Sequence, residues 1–254
     1  MSGSVENLFL KVRRGEATRE LDQGEALACL AGLGIAGDIH ANRLSPRQIL
    51  VTLQSELDEL SVQAGALHEN MIISTALAKH FRPGTAIVTS GGVEIKLTMY
   101  CEPCKRIEGL VPDLRALIER RGILGYIVRG GHIRRGDAIE LIPDRYSALP
   151  ESVNQKFLDF VQTIPAGRVV RLLDVTIAIG VADSFVRAMP GYIRRNLQRQ
   201  IPVHRIVNAR GKLLDFIPDQ ARKLMAEGVE IDADGGLAEP GRGSVNLQQY
   251  LWRG

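Results

Sequence analysis

The chain has 254 residues, 45% of them hydrophobic and 24% charged, with a formal net charge of +3. This composition is typical of an ordinary globular protein with one large or two medium domains. Three cysteines are too few for a disulfide scaffold, no apolar run approaches the length of a membrane span, and no secretory signal is visible. We therefore expect a cytoplasmic protein with no membrane partner.

Charge is distributed unevenly along the chain. The first 150 residues carry 18 basic and 18 acidic side chains, whereas residues 164–212 carry nine basic and two acidic ones. A local basic excess is typical of a surface that binds a polyanion, and a solvated basic face without a partner is the alternative.

The first part of the chain is predicted to consist mainly of strands. A short helix is expected near Ser55, with Ser55 close to its N-cap. Many short strands with glycine turns and few helices predict a β-barrel-like domain within an α+β protein. The strand-like segments are residues 5–12, 47–53, 82–88, 92–99, 125–133 and 134–141.

Two cysteines, Cys101 and Cys104, directly follow the strand predicted at 92–99, and Lys105 and Arg106 come next. Neighbouring cations lower the pKa of a thiol and make its thiolate available, although a cysteine is more often a small buried hydrophobic residue. Cys101 also permits a redox pair with Cys104. Because no second Cys/His pair has zinc spacing, we predict no zinc or other metal site.

Several short motifs occur in a fixed order over about 110 residues. They include Gly37-Asp38-x-His40, Arg47-Gln48, Glu69-Asn70, Pro103-Cys104 and Gly130-Gly131-His132. Together they resemble the MOSC family, found at the C-terminus of molybdenum-cofactor sulfurases and in stand-alone bacterial proteins. The resemblance covers roughly residues 4–143, and we assign residues 1–143 to this domain.

The resemblance implies that Cys104 is the family's cysteine, which carries sulfur or approaches a molybdenum–pterin cofactor. It implies a pocket lined by His40, Arg47, Glu69 and Asn70, and we add Gly130 to the cofactor-binding set. The residue types agree with these roles. A thiolate can form a persulfide, Arg47 can bind an anionic group, and His40 can transfer a proton. The alternatives are a turn-stabilising role for Asn70 and a structural ion pair for Glu69. Pyridoxal phosphate is kept as a further candidate cofactor.

Residues 144–151 lose periodicity and are predicted to be a linker before a second domain at 152–254. Helices are expected at 153–164 with Ser152 as N-cap, and at 172–179 with Gly180 as C′ residue. A third helix from Ser184 carries several arginines, which gives the outline of a helix-turn-helix. Any pair of antiparallel helices has the same outline.

The segment Ile201-Pro202-Val203-His204-Arg205 is similar to the Pro-Cys-His-Arg active-site motif of O6-alkylguanine-DNA alkyltransferases. Matching flanks extend over about residues 155–231, and they imply a helical, winged-helix-like DNA-binding domain. The nucleophilic cysteine is replaced by Val203, so alkyl transfer is excluded at this position, and Val203, His204 and Glu227 form a degenerate site. The domain thus resembles alkyltransferase-like proteins, which bind alkylated DNA without repairing it.

The resemblance also implies DNA contacts. Arg187 corresponds to the arginine that replaces a flipped base, and Phe216 is expected to stack on that base. Leu172 in place of a tyrosine, Pro190 within the third helix and a shortened loop after the motif are departures from the family. The expected phosphate contacts are Arg194, Arg195, Arg199 and Arg205.

Three functions remain open from the sequence. The first is a sulfur-carrier or molybdenum-cofactor module attached to a non-catalytic DNA-binding domain. The second is a sensor of O6-alkylguanine in DNA with an accessory MOSC domain. The third is an inactive scaffold for protein interactions.

Overall fold

A computed structural model describes residues 2–232 and 243–254. The chain divides into two compact units, residues 1–149 and 150–254, and this boundary falls within the predicted linker. The segment 232–243 is acidic and glycine-rich, a composition that predicts a loop, and apart from its two end residues it lies outside the described part of the chain. Among the helices of that described part, none has the length and apolar character needed to cross a membrane.

The first unit is built mainly from strands. They are β1 (Gly3–Leu10), β2 (Arg19–Glu20), β3 (Ala26–Leu30), β4 (Gly34–Ile35), β5 (Ile49–Leu53), β6 (Met71–Thr75), β7 (Ala86–Thr89), β8 (Glu94–Tyr100), β9 (Ile123–Arg129), β10 (Gly131–Arg134) and β11 (Ala138–Ile142). One large sheet has the strand order β11-β7-β8-β9-β5-β6-β1-β2, and a smaller sheet has the order β10-β3-β4. One helix, α1 (Gln54–Leu60), follows β5.

The large sheet is mostly antiparallel, and its strand β1 pairs with β6 and, over two residues, with β11. Strand β5 is the exception, because it runs parallel to β6. These pairings establish a large sheet in an α+β protein, while the barrel-like shape stays a prediction.

Apolar side chains cover both faces of this sheet. Val51, Ile95 and Ile127 belong to the main core, whereas Ile72 and Leu57 belong to a second apolar cluster. A strand with both faces covered reads as a continuous apolar run rather than an alternating one, and all five residues of β5 are buried. Helix α1 begins at Gln54 with Leu53 as its N-cap, so the predicted short helix is present and Ser55 lies in its first turn, two residues after the N-cap.

Gln48 fixes the loop that precedes β5. Its Nε2 donates to the carbonyls of Gly32 and Asn42 at 3.0 and 2.9 Å, and its Oε1 accepts from the backbone N–H of Ile127. The side chain is fully buried, so these bonds replace water that it would otherwise bind. They hold the loop that carries Asp38 and His40 against β9.

The first residues of the predicted linker are bonded to the first unit. Arg145 Nε and Tyr146 Oη each donate to Glu94 Oε1 at 2.6 Å. Glu94 is buried, and a buried carboxylate requires such partners. The bonds hold its pKa below the ordinary value, with the hydrogen bond from Tyr146 as the main cause.

The second unit is mainly helical. Ser152 caps α2 by accepting from the backbone N–H of Gln155, and Gly180 follows α3 with a φ of 73°, so both predicted termini are confirmed. One two-residue parallel pairing joins β12 (Val170–Arg171) to β13 (Ile206–Val207), and the winged-helix detail stays a prediction. The helices are α2 (Val153–Thr163), α3 (Leu172–Ala178), α4 (Met189–Asn196), α5 (Gln220–Ala226) and α6 (Leu247–Tyr250).

The predicted third helix consists of two parts. A 3₁₀ turn, Asp183–Ala188, leads directly into α4. Pro190 lies in the first turn of α4, where a missing backbone N–H has no helical partner to lose. The proline therefore starts this helix instead of kinking it.

Candidate functional sites

Cys104 lies between β8 and a 3₁₀ turn, Lys105–Ile107, and its side chain is half-buried. Its Sγ is 3.4 Å from Nη1 of Arg121. Burial acts to raise the pKa of the thiol, but the backbone N–H of Arg106 and the charge of Arg121 together hold it below the ordinary value. A thiolate is thus stabilised at an accessible position.

Arg121 is only 6% exposed and joins three segments of the first unit. Its Nη1 donates to the carbonyl of Glu102 at 2.5 Å, and its Nη2 donates to the carbonyl of Leu67 at 3.4 Å. Its Nε is buried without a hydrogen-bond partner among the described residues. The guanidinium therefore connects the cysteine segment to the loop before β6.

That loop contains His68, Glu69 and Asn70. Glu69 is fully buried, its Oε1 accepts from the backbone N–H of Gly65 at 2.6 Å, and burial raises the pKa of its carboxyl. Within the described part of the chain, neither Glu69 Oε2 nor His68 Nδ1 has a hydrogen-bond partner, although both are buried. With Arg121 Nε, three buried polar atoms of the first unit are thus unpaired.

Asn70 and Asp38 position His40. Asn70 accepts from the backbone N–H of Leu50 at 3.0 Å and donates to Asp38 Oδ2 at 2.9 Å. His40 Nδ1 is 2.8 Å from Asp38 Oδ1, and its side chain is 43% exposed. Burial opposes ionisation of Asp38, but the hydrogen bonds from His40 hold its pKa below the ordinary value. Asn70 thus has structural contacts, and a carboxylate orients His40, while the expected place of Asn70 in a cofactor pocket stays a prediction.

Positive charges gather around these residues. Burial and the charges of Lys11, Arg121 and Arg106 lower the pKa of His68. Burial and the charge of Arg106 likewise lower the pKa of Lys11, which is 7% exposed. We call Lys11, Arg106 and Arg121 the cation cluster, and His68 lies beside it. Of these, only Arg106 drew attention in the sequence, because the others are distant from Cys104 along the chain.

The remaining predicted residues of the first unit lie differently. Cys101 is buried, burial raises the pKa of its thiol, and the charge of Arg47 is near it. Burial raises the pKa of Cys29 to about 12, as expected of a core cysteine. A Cβ on Gly130 would lie 2.6 Å from the carbonyl oxygen of Cys29, so backbone packing against β3 accounts for this glycine.

In the second unit, Val203 is buried and packs in the unit's core. Its neighbour His204 places Nε2 2.8 Å from Glu227 Oε1, and Arg205 donates to both oxygens of Glu227 at 2.7 to 3.1 Å. Burial opposes ionisation of Glu227, but these bonds lower its pKa to about 2. Because burial lowers the pKa of His204, Arg205 supplies the positive charge that balances the carboxylate of Glu227.

Arg205 was predicted to contact phosphate, but its guanidinium is engaged inside the unit. Besides Glu227, it donates to the carbonyl of Ile164 at 2.5 Å. Phe216, predicted to stack on a base, has the guanidinium of Arg194 over its ring at 4.2 Å. Internal partners therefore account for Arg205 and for one face of Phe216.

The other predicted DNA contacts are exposed. Arg187 is the last residue but one of the 3₁₀ turn, Arg194 and Arg195 lie on α4, and Arg199 follows that helix. Arg195 lies over the ring of Tyr192 at 4.4 Å. In residues 2–232 and 243–254, no group of three or more His, Cys, Asp or Glu side chains is arranged to hold a metal ion.

Comparison with protein-family models identifies both units. Residues 37–140 match the MOSC domain, and residues 152–229 match the DNA-binding domain of 6-O-methylguanine DNA methyltransferase. The chain joins a MOSC domain to an alkyltransferase-type DNA-binding domain. Both resemblances inferred from the sequence motifs are thereby confirmed. A search of curated proteins found no match.

Solved structures similar to the chain include YuaD from Bacillus subtilis, with 21% identity over 56% of this chain and 96% of that one, at a TM-score of 0.49. YiiM from Escherichia coli has 16% identity over 79% and 95%, at 0.42. S. pombe Atl1, solved with damaged DNA containing O6-carboxymethylguanine, has 26% identity over 42% and 99%, at 0.34. At these TM-scores, the likenesses assign no function to this chain.

The reactivity of the thiols tests the role of Arg121 in the MOSC domain. We expect iodoacetamide to alkylate Cys104 before Cys29 and Cys101, with a half-maximal rate at a pH below that of an ordinary cysteine. Arg121→Gln removes the adjacent charge and should shift that midpoint upward. Mass spectrometry of alkylated peptides across a pH series measures both effects. An unshifted midpoint in a folded Arg121→Gln protein would show that Arg121 does not control the thiol.

The Glu227 ion pair predicts a pH dependence of stability for the DNA-binding domain. Because folding lowers the pKa of Glu227, its contribution is complete above the ordinary carboxyl pKa and is lost as the pH falls toward about 2. After screening by solvent at this partly exposed site, we expect a loss of about 1–2 kcal/mol. Urea unfolding at pH 6 and pH 3 measures it, and Glu227→Gln should show a smaller difference between the two pH values. An equal difference in both proteins would contradict the assignment.

Proposed function

We propose that the MOSC domain accepts and carries sulfur on Cys104, and that the second domain binds DNA without accepting alkyl groups. The observation that supports the first part best is the contact between Cys104 Sγ and the buried guanidinium of Arg121. Of the three cysteines, Cys104 alone is not buried, and its pKa is lowered rather than raised.

The sulfur-transfer step needs no external oxidant. The Cys104 thiolate attacks the outer sulfur of a donor persulfide, and a new S–S bond forms at Sγ. The S–S bond of the donor breaks, its electron pair leaves with the donor thiolate, and Cys104 becomes a persulfide. Arg121 stabilises the negative charge on both the initial thiolate and the resulting persulfide.

The residues of this pocket also fit a molybdenum–pterin cofactor in charge. The cation cluster suits an anionic phosphate, and His68 Nδ1 and Arg121 Nε are buried polar atoms that a polar ligand would pair. Such a cofactor, when bound, would supply oxygen-atom and electron-transfer chemistry. The chain's own contribution would be the Cys104 thiolate, the cation cluster and the ring of His40, whose Nδ1 is bound to Asp38.

Intact-mass analysis tests the sulfur-carrier role. The reduced full-length protein is incubated with the persulfide of an uncharged thiol, and we expect a mass increase of one sulfur atom, located at Cys104 by peptide mapping. Cys104→Ser should gain none, whereas Cys101→Ser should gain the same mass as the original protein. Loading of the Cys104→Ser protein at the same level would refute the assignment.

The second part of the proposal follows from the chemistry of position 203. A valine side chain has no nucleophile, and none of the three cysteines lies within residues 150–254. His204 and Glu227 keep their hydrogen bond, but in this chain the bond joins Arg205 in a structural ion-pair network. Alkyl transfer to residue 203 therefore has no acceptor atom.

Support for DNA binding comes from the match to a DNA-binding domain and from the position of the arginines. Arg195 and Arg199 line an open cleft of about 490 Å³ together with Ser152 and Asn154 at the start of α2. Backbone N–H groups at a helix N-terminus and arginine side chains are both ligands of DNA phosphates. The cleft and the exposed arginines thus form a surface suited to a phosphate backbone.

A titration with DNA duplexes tests this surface. We expect affinity to fall steeply as salt rises, and Arg195→Ala to reduce the slope of that dependence by about one counterion. If the domain senses alkylated bases, it will prefer a duplex with O6-methylguanine, and Arg187→Ala will remove that preference. Arg222→Ala, which removes an exposed arginine of α5, is the control and should change neither. Absence of salt-dependent binding would exclude the DNA-binding role and favour the scaffold.

A further inference from the structure

We infer that Cys104 takes its sulfur from a small oxyanion of the thiosulfate class, whose sulfonate group is held by the cation cluster. This inference rests on the proposed sulfur-carrier role and names the substrate class of the same site. Two observations support it, namely the arrangement of charges around the thiol and the burial of the charged groups.

Two members of the cation cluster interact directly with the thiol. Arg121 Nη1 is 3.4 Å from Cys104 Sγ, and the backbone N–H of Arg106 is directed at the same sulfur. Lys11 is linked to the same region through Asp38, which accepts from its backbone N–H at 3.1 Å and also binds Asn70, next to Glu69. Neither Lys11 nor Arg106 forms a side-chain ion pair within the described ranges. Their charges remain available to an anion.

Two buried carboxyl groups face this cluster, and they offset its charge only in part. Asp38 is hydrogen-bonded to its neighbours, and its charge acts on Lys11. Glu69 is fully buried, and burial raises the pKa of its carboxyl. Because three cations face two carboxyl groups, the site keeps a net positive charge beside the thiol, which is the condition for binding an anion.

Burial sets the size of the anion. Lys11 and Arg121 are 7% and 6% exposed, so only a small group that enters beside Cys104 can reach their charges. The exposed arginine of the cluster, Arg106, lies at the outside. A compact tetrahedral oxyanion meets this requirement, whereas a protein-bound persulfide or a neutral thiol gains little from the buried cations.

The step balances without another reactant. The Cys104 thiolate attacks the outer sulfur of thiosulfate, and a new S–S bond forms at Sγ. The bond between the two sulfur atoms of thiosulfate breaks, its electron pair leaves with sulfite, and Cys104 becomes a persulfide anion. The cation cluster binds the sulfonate oxygens before the step and stabilises the sulfite that departs.

The experiment compares two sulfur donors on the reduced full-length protein at constant ionic strength. With thiosulfate, we expect one sulfur atom on Cys104 and one equivalent of sulfite. Inorganic sulfate, which has the same charge and no outer sulfur, should compete with thiosulfate and add no mass. The persulfide of an uncharged thiol should load Cys104 and be insensitive to sulfate.

Substitutions at two neighbouring residues distinguish binding by Arg106 from a general effect of positive charge near the thiol. Arg106→Gln should raise the half-saturating thiosulfate concentration about five- to tenfold, as expected for loss of a charge-assisted contact. Its effect on loading by the organic persulfide should be smaller, because there only the charge that Arg106 contributes to the thiol is lost. Lys105→Gln removes an exposed cation from the same 3₁₀ turn and should change neither reaction.

The outcomes distinguish this inference from the proposed function. If the organic persulfide loads Cys104 and thiosulfate does not, the oxyanion class is wrong and the sulfur-carrier role stands. If Arg106→Gln and Lys105→Gln have equal effects, the cation cluster does not form the binding site. If neither donor loads Cys104, both the sulfur-carrier role and the oxyanion class are refuted.

Discussion

The MOSC domain depends on a buried guanidinium. A charged group that is 6% exposed loses most of its hydration, and the loss must be offset by hydrogen bonds within the protein. Arg121 meets this requirement with the carbonyls of Glu102 and Leu67, one from the cysteine segment and one from the loop before β6. The bonds that keep the charge buried therefore also join the cysteine segment, which carries Cys104, to the loop before β6.

The DNA-binding domain has a comparable buried network with a different consequence. Arg205, His204 and Glu227 connect the 3₁₀ turn at 203–205 to the end of α5, and Arg205 also reaches the carbonyl of Ile164 after α2. Because residue 203 is a valine, the network borders an apolar side chain rather than a thiol. The same hydrogen bonds that could polarise a nucleophile serve here to join three segments, and this explains why such a network persists without the reactive group.

The sequence predicts features that depend on neighbouring residues better than features that depend on contacts between distant residues. The helix termini at Ser152 and Gly180 and the two domain families rest on local patterns, and the structure or the family models confirm each of them. Asn70 and Gly130 were assigned to a pocket by resemblance, and the structure adds close backbone contacts for both, while their place in a pocket stays a prediction. The internal ion pair of Arg205 could not be predicted from a local pattern either, because its partner Glu227 lies 22 residues away in sequence.

Lys11, His68 and Arg121 were missed for a related reason. Each is an ordinary charged or polar residue in its own segment, and only the folded sheet brings those segments together. Burial is what gives them chemical significance, because a cation in water is screened whereas a cation in a pocket acts on its neighbours at full strength. Sequence patterns report the spacing of a thiol and its nearest cations, but not which distant cations have lost their solvent. In this chain, the charge of Arg121 acts on both Cys101 and Cys104, and the two thiols differ because Cys101 is buried more deeply and Cys104 accepts from the backbone N–H of Arg106.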